Sequence, residues 1–402
     1  MHASTVLQRC LDAALAPIHA SRRRVLLGAV DALIAGRRLT LMDLARSWLG
    51  AERVRAPLKA LDRLLGNRHL QREREQIYAS MAQWLMRHRR PLILIDWSDL
   101  KPDGSWHVLR AAVPVGGRAL PILDMVFPGG MQGSPQAEGR FLQRLIAIVP
   151  PGVKPILVTD AGFRIPWFRA VSALGWSWVG RLRHRTRVKP ADEADHPSQW
   201  LPCKVLYALV TRAARDLGLM HLAASQAWLC RMILHSSPPK GRKCRNRAGQ
   251  PARRKHSLHN AQREREPWLL VASPDLGDLN PQQLVAIYAR RMQIECSFRD
   301  LKSHRYGHAY EDSLTRKGSR IDVLLLISAL ATFASWLIGL ACRSAGLDRW
   351  LSPCSSNRPL YSIVWLGHQA LLRQWPTASL YHLMRRLRDP YLTLLEQCGV
   401  SA

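Results

Sequence analysis

Pro91-Leu-Ile-Leu-Ile-Asp96 is a short apolar run that opens on proline and closes on an acid, and Pro155-Ile-Leu-Val-Thr-Asp160 repeats the pattern. Uninterrupted leucine and β-branched residues over four or five positions read as a strand buried on both faces. The closing aspartate is then expected at the strand's carboxyl end, where sites gather in open α/β sheets. Between the two runs, His107–Pro114 and Ala119–Val126 read as strands and Ala137–Ile148 as a helix. Trp167–Leu174 (helix) and Trp176–Leu182 (strand) follow. Three strands in a meander, then helix, strand, helix and strand, is a mixed α/β order.

The flanks read differently. Residues 1–88 carry helical patterning. Thr40 stands as an N-cap before Asp43, Leu44 and Ala45, and a second run from near Pro57 puts Leu58, Leu61, Leu64 and Leu65 on one face until Gly66-Asn67. Lys59, Arg63 and Arg68 edge that run, in the outline of a helix-turn-helix and suited to DNA contact. Residues 184–266 are less patterned, with strands expected near Val205–Thr211 and Trp228–Leu234. Lys240–Lys255 holds eight Lys or Arg and no acid, a solvated loop suited to gripping phosphates. Trp268–Ser273 reads as a strand. Asn280-Pro281, with Gln283 at the capping-box position, opens a helix expected to reach about Lys302. Residues 320–402 read as helices: an uncharged stretch at 323–342, then Leu360–Arg373 and Ala378–Arg388. The uncharged stretch is long enough to cross a membrane. Ser328, Thr332, Ser335 and Gly339 dilute it and basic residues crowd both sides, which points to a buried core helix and to no membrane partner.

Among 402 residues, 59 Lys and Arg stand against 29 Asp and Glu, a formal charge of +30. A field of that sign favours a polyanion, above all nucleic acid, and gives nothing to an enzyme of small neutral substrates. The eight cysteines are scattered without a C-x-x-C pair, which argues against a disulfide scaffold and against structural zinc. The N-terminal residues form no apolar signal region, and a cytoplasmic location is expected.

On an ideal helix with Tyr288 at 0°, Arg291 falls at about 300°, Lys302 at about 320°, Glu295 at about 340° and Arg299 at about 20°. One stripe therefore gathers an acid, three cations and a tyrosine. Two strand-end aspartates and a helix glutamate form the kind of acid set that holds two divalent cations, one activating water or a 3′-hydroxyl and the other stabilising the leaving oxygen. The neighbouring cations would grip the phosphates of the substrate. Asp124 lies inside a strand segment and reads as a local partner. Asp99 follows Asp96 in what reads as a polar turn, and Asp300 points off the stripe. Trp268 reads either as a core residue or as a platform for an extruded base, and Trp97 as packing.

Asp96, Asp160 and Glu295, with the spacing Y-x2-R-x3-E-x6-K at Tyr288, Arg291, Glu295 and Lys302, resemble the DDE transposases of bacterial insertion sequences, specifically the insertion-sequence-four group. Leu64-Leu-Gly-Asn-Arg-His-Leu70, Ile95-Asp-Trp-Ser-Asp99, Asp160-Ala-Gly-Phe163, Lys240-Gly-Arg-Lys243 and Phe298-Arg-Asp-Leu-Lys302 are similar to that group in the same order. The resemblance implies an RNase H-like catalytic core (89–183 and 267–320) with a mixed sheet and flanking helices. A helical DNA-binding domain (1–88), a β-rich insertion with the basic loop (184–266) and a helical C-terminal region (321–402) accompany it. It implies Asp96, Asp160 and Glu295 as catalytic metal ligands for two Mg²⁺ ions, with Mn²⁺ able to substitute. DNA contacts would come from Tyr288, Arg291, Arg299, Lys302, Trp268, Lys240, Arg242 and Lys243. The partners would be double-stranded DNA (terminal inverted repeats and target) and a second copy of the chain in the synaptic complex. The reaction implied is cut-and-paste transposition through hairpin ends. A DNA-binding repressor derived from an inactive transposase, and a nuclease without strand transfer, are the alternatives.

Overall fold

The structure is a computed structural model. It describes residues 1–86, 88–183, 186–191, 199–236, 250–251, 258, 266–351 and 360–375. Lys240, Arg242 and Lys243 of the basic loop and the expected helix Ala378–Arg388 lie outside the described residues. The described residues form two compact units, those of 1–156 with 290–351 and 360–375, and those of 157–289.

The first unit opens with six helices: α1 (Ala3–Cys10), α2 (Asp12–Leu15), α3 (Ala20–Gly36), α4 (Leu41–Arg46), α5 (Arg55–Leu65) and α6 (Arg68–Leu85). Their ends are set by the residues the sequence offers. The Thr40 hydroxyl accepts the Asp43 N–H at 3.1 Å to start α4, as expected, and Asn67 accepts the N–H groups of His69 and Leu70 to start α6. The antiparallel meander β1 (Leu92–Asp99), β2 (Trp106–Pro114) and β3 (Ala119–Pro128) follows, with a bulge in the β2–β3 pairing at Ala111/Ala112. Helix α7 (Pro135–Ile148) starts at Ser134, whose hydroxyl accepts the Ala137 N–H.

The second unit holds β4 (Ile156–Thr159, from its second residue), α8 (Ile165–Ala173), β5 (Ser177–Leu182), β6 (Arg187–Pro190), β7 (Leu201–Pro202), β8 (Arg215–Leu222), β9 (Trp228–His235) and β10 (Trp268–Ala272). Its strands neighbour one another in the order β4-β5-β10-β9-β8-β6-β7. The β4-to-β5 link runs through a helix, whereas β5, β10, β9, β8, β6 and β7 pair antiparallel. The strand expected at Val205–Thr211 is instead a 3₁₀ segment, Cys203–Leu209. Val205 and Leu209 are exposed there, so no sheet face receives them. Helix α9 (Pro281–Ala289) closes this unit with the expected capping box: Asn280 accepts the Gln283 N–H at 2.9 Å, and Gln283 accepts the Asn280 N–H at 2.8 Å.

The single helix expected from 281 to about 302 is two. After Ala289 the chain turns at Arg290 and Arg291, and α10 (Met292–Lys302) begins with Gln293 and Ile294 donating to the carbonyls three residues back. Such i→i+3 bonds tighten a turn rather than continue the ladder.

The first unit is completed by α11 (Gly318–Ser344) and α12 (Ile363–Leu372). Helix α11 is long and apolar enough to cross a membrane, yet 89% of its most apolar window is buried inside the protein. Helices α1, α3, α5, α6 and α12 and strand β3 all pack on it, which makes it the core of the unit. Glycines let α12 approach closely: a Cβ on Gly367 would stand 1.7 Å from the Ser335 carbonyl oxygen, and one on Gly339 would stand 1.9 Å from that of Ile363. The architecture is mixed α/β, as expected, and consistent with an RNase H-like core.

Candidate active site

Strand β1 does not end at Asp96 as the sequence suggested. It continues through Asp99, which stands opposite His107 and bonds its Nδ1 at 2.9 Å, so Asp99 is part of the ladder and not of a polar turn. Asp96 therefore lies within the strand, directly opposite Arg110 on β2, which in turn stands opposite Asp124 on β3. Residues in register share a face, so the three charges form one row across the meander.

Arg110 and Asp124 are both buried, and the guanidinium grips the Asp124 carboxylate through two bonds of 2.7 and 2.8 Å. The Ser297 hydroxyl at 3.3 Å and the Phe298 ring at 4.8 Å hold Arg110 from α10 above. The buried arginine is thus committed to Asp124, the local partnership expected for that acid.

Asp96 is approached from the helix side. Arg291, at the start of α10, reaches Asp96 Oδ2 at 3.4 Å with one terminal nitrogen and Glu295 Oε1 at 2.5 Å with the other. Asp96 and Glu295 therefore converge on a single cationic group. Lys302, the last residue of α10, donates to the Ser98 hydroxyl at 2.7 Å. Burial lowers the Lys302 pKa, against the opposing pull of the Asp99 carboxylate. Arg299 lies over the Tyr306 ring, and Asp300 pairs with Arg118, off the Glu295 face as expected.

Asp160 belongs to the second unit. It follows β4 directly, the expected strand-end position, and its Oδ1 accepts the Gly162 N–H at 2.8 Å. That Asx turn orients the carboxylate. Tyr288 is buried in α9, and its ring meets that of Trp268 edge-on at 5.0 Å, with His235 at 6.0 Å from Trp268 on the other side. Trp268 itself is half-buried in this aromatic group. Trp97 packs on Phe127.

Among the described residues no group of three or more His, Cys, Asp or Glu forms a ready cation cage. What the first unit does offer is a pair of carboxylates already sharing one positive charge. Hard oxygen donors of this kind suit Mg²⁺, which keeps much of its water and needs few protein ligands. The donor chemistry fits a divalent cation in the place the Arg291 guanidinium now fills.

The reading of the sequence missed Arg110, Ser98 and His107 as supports of the site. A signal for Arg110 was present: an arginine and an aspartate, each within an apolar strand of one hairpin, must be buried together and hence paired.

A protein-family model described as "Transposase DDE domain" matches residues 87–333. No curated protein matches the chain.

Proposed function

The chain belongs to the transposase DDE domain family, a family of phosphoryl-transfer enzymes, and from that membership we propose that it cuts and joins the ends of a bacterial insertion sequence of the insertion-sequence-four group, near the transposase of insertion sequence ten. The observation that carries this reading is the convergence of Asp96 and Glu295 on one cationic group, beneath a helix bearing Lys302 and Arg299. Asp96, Glu295 and Asp160 would hold two divalent ions, Mg²⁺ or Mn²⁺. When bound, these ions supply an activated water or 3′-hydroxyl and stabilise the leaving oxygen.

The residues of the chain have the remaining tasks. Arg291 bridges Asp96 and Glu295 and so offsets the repulsion between the two acids. Released from them, its planar guanidinium suits a DNA phosphate bidentately. Lys302, fixed by Ser98, and Arg299 offer further phosphate contacts, and residues 1–88 would bind the terminal repeat. Trp268, edge-on to Tyr288, would support the distorted strand of a hairpin end, with Lys240, Arg242 and Lys243 on the backbone. Two copies would act together, because two ends are joined in one event. A cytoplasmic, nucleoid-bound location suits this role.

Asp96→Asn, Asp160→Asn and Glu295→Gln test the reading. Each removes a ligand charge with little change of volume. Each should abolish Mg²⁺-dependent cleavage of a DNA end while leaving DNA affinity within a few-fold. Near wild-type cleavage by any one variant removes that residue from the site. Cleaved ends that never join target DNA would favour a nuclease.

A further inference from the structure

The face of α10 opposite Glu295 closes a second site. Ser297, Asp300 and Leu301 lie about 140–240° around the helix from Glu295, and all three line a cavity of about 70 Å³. Its walls also come from the end of α3, the loop before α11, one side of α11 and the first turn of α12, all in the first unit. The volume is several times the roughly 10–15 Å³ that one water needs, and far below the roughly 300–1,000 Å³ of a pocket for a nucleotide-sized ligand.

The wall chemistry is unlike a packing defect. Three arginines reach it. Arg110 is compensated by Asp124 and Arg118 by Asp300. Arg37, at the left-handed C-cap of α3 (φ 56°), makes no ion pair with a described residue. Two histidines stand with it. His308 is held by the Ser328 hydroxyl at 2.8 Å. His368 is 92% buried, and its Nε2 has no hydrogen-bond partner. Ser362, which caps α12, and its neighbours Val364 and Trp365 bring the amino end of that helix to the wall. An unpaired guanidinium and a helix amino terminus favour negative charge, and the neutral His368 imidazole donates to an anion in the tautomer that carries its proton on Nε2.

We propose that this cavity binds one small tetrahedral oxyanion, inorganic phosphate in size and charge, held by Arg37, His368 and the amino end of α12, on the reverse side of the helix that carries Glu295. Both histidines are held neutral, His308 at about 3 and His368 at about 4, by burial and, after it, by charge that includes Arg37. An anion beside Arg37 offsets its uncompensated positive charge, so anion and arginine complete each other. The site is independent of the metal-binding acids and stands or falls without them.

The test uses the full-length protein, titrated with inorganic phosphate at ionic strength held constant by chloride, and followed by calorimetry and by melting temperature. One phosphate per chain should bind saturably and raise the melting temperature. Arg37→Gln should weaken that binding at least tenfold. Arg144→Gln, which removes an exposed arginine from α7, should leave it unchanged. Thr332→Ile, which replaces a hydroxyl at the cavity wall by an ethyl group, should block phosphate even if Arg37→Gln does not fold. Absence of saturable binding, equal weakening by Arg37→Gln and Arg144→Gln, or full binding by Thr332→Ile each overturns the proposal.

Discussion

Arg110 faces two carboxylates in register, Asp96 on one strand and Asp124 on the other, and its guanidinium goes to Asp124. The Asp96 carboxylate meets instead the Arg291 guanidinium at the start of α10. The pair of Arg110 and Asp124 is also the most consequential charge placement in the meander. Desolvating two ions is repaid only while both are present. Asp124→Ala strands Arg110 in the interior and should cost about 3–5 kcal/mol, seen as a large drop in melting temperature. The double variant Arg110→Met with Asp124→Leu should recover much of the loss, because no buried charge then remains. A single variant that melts with the wild type would show that the pair holds nothing. At this scale the sequence was partly legible. Asp96 and Glu295, read from the sequence as metal ligands, both pair with Arg291, a residue read there as a phosphate contact. The extension of β1 through Asp99 was not legible, because it depends on His107 across the ladder, a partner that local patterning does not reveal.

Elements were legible where their signals are local. Pro91–Asp96 and Pro155–Asp160 became β1 and β4, and Asn280-Pro281 with Gln283 capped α9 as its residue types dictate. The break between α9 and α10 carries no Gly or Pro. It coincides with Arg291 reaching across to Asp96, a contact 195 residues away in sequence. Likewise Leu201, Val205, Leu209 and Leu219 look like strand interior by type and are exposed in fact. The apolar helix α11 satisfied two readings by composition, and only its packing separates them. That packing predicts a sensitive point. Gly367 lets the backbones of α11 and α12 touch, and its replacement must push them apart. Gly367→Ala should cost about 1–3 kcal/mol as an overpacked contact, although alanine is the better helix former by up to about 1 kcal/mol. Chemical denaturation of the variant checks this. A variant as stable as the parent would mean that the two helices are free to separate.

Over the whole molecule, the excess of positive charge suits a DNA partner, and three buried titratable groups in the first unit govern how stability responds to acid. His308 and His368 are neutral when folded, their pKa values lowered by burial from the ordinary 6.5 to about 3 and about 4. The unfolded chain takes up two protons there that the folded chain refuses. Stability from this source is complete above about pH 6.5 and falls as pH falls toward 4. Asp322 acts in the opposite sense. Burial raises its carboxyl from 3.8 to about 6, outweighing the Arg74 guanidinium 2.8 Å away, so between about pH 4 and 6 the folded chain holds one proton that the unfolded chain has lost. The balance below pH 6 is two protons against one, a slope of about 1 kcal/mol per pH unit favouring higher pH. Ordinary carboxylates titrate near pH 4, below the window from 5 to 6.5, where burial also lowers His235 of the second unit and adds to the same trend. Melting temperatures of the full chain should decline from pH 6.5 to 5. A His308→Gln, His368→Gln double variant should flatten or reverse the trend, because Asp322 then opposes only the smaller effect of His235. Asp322→Asn in the parent should steepen the decline. A double variant that declines as steeply as the parent would move the acid sensitivity to other groups.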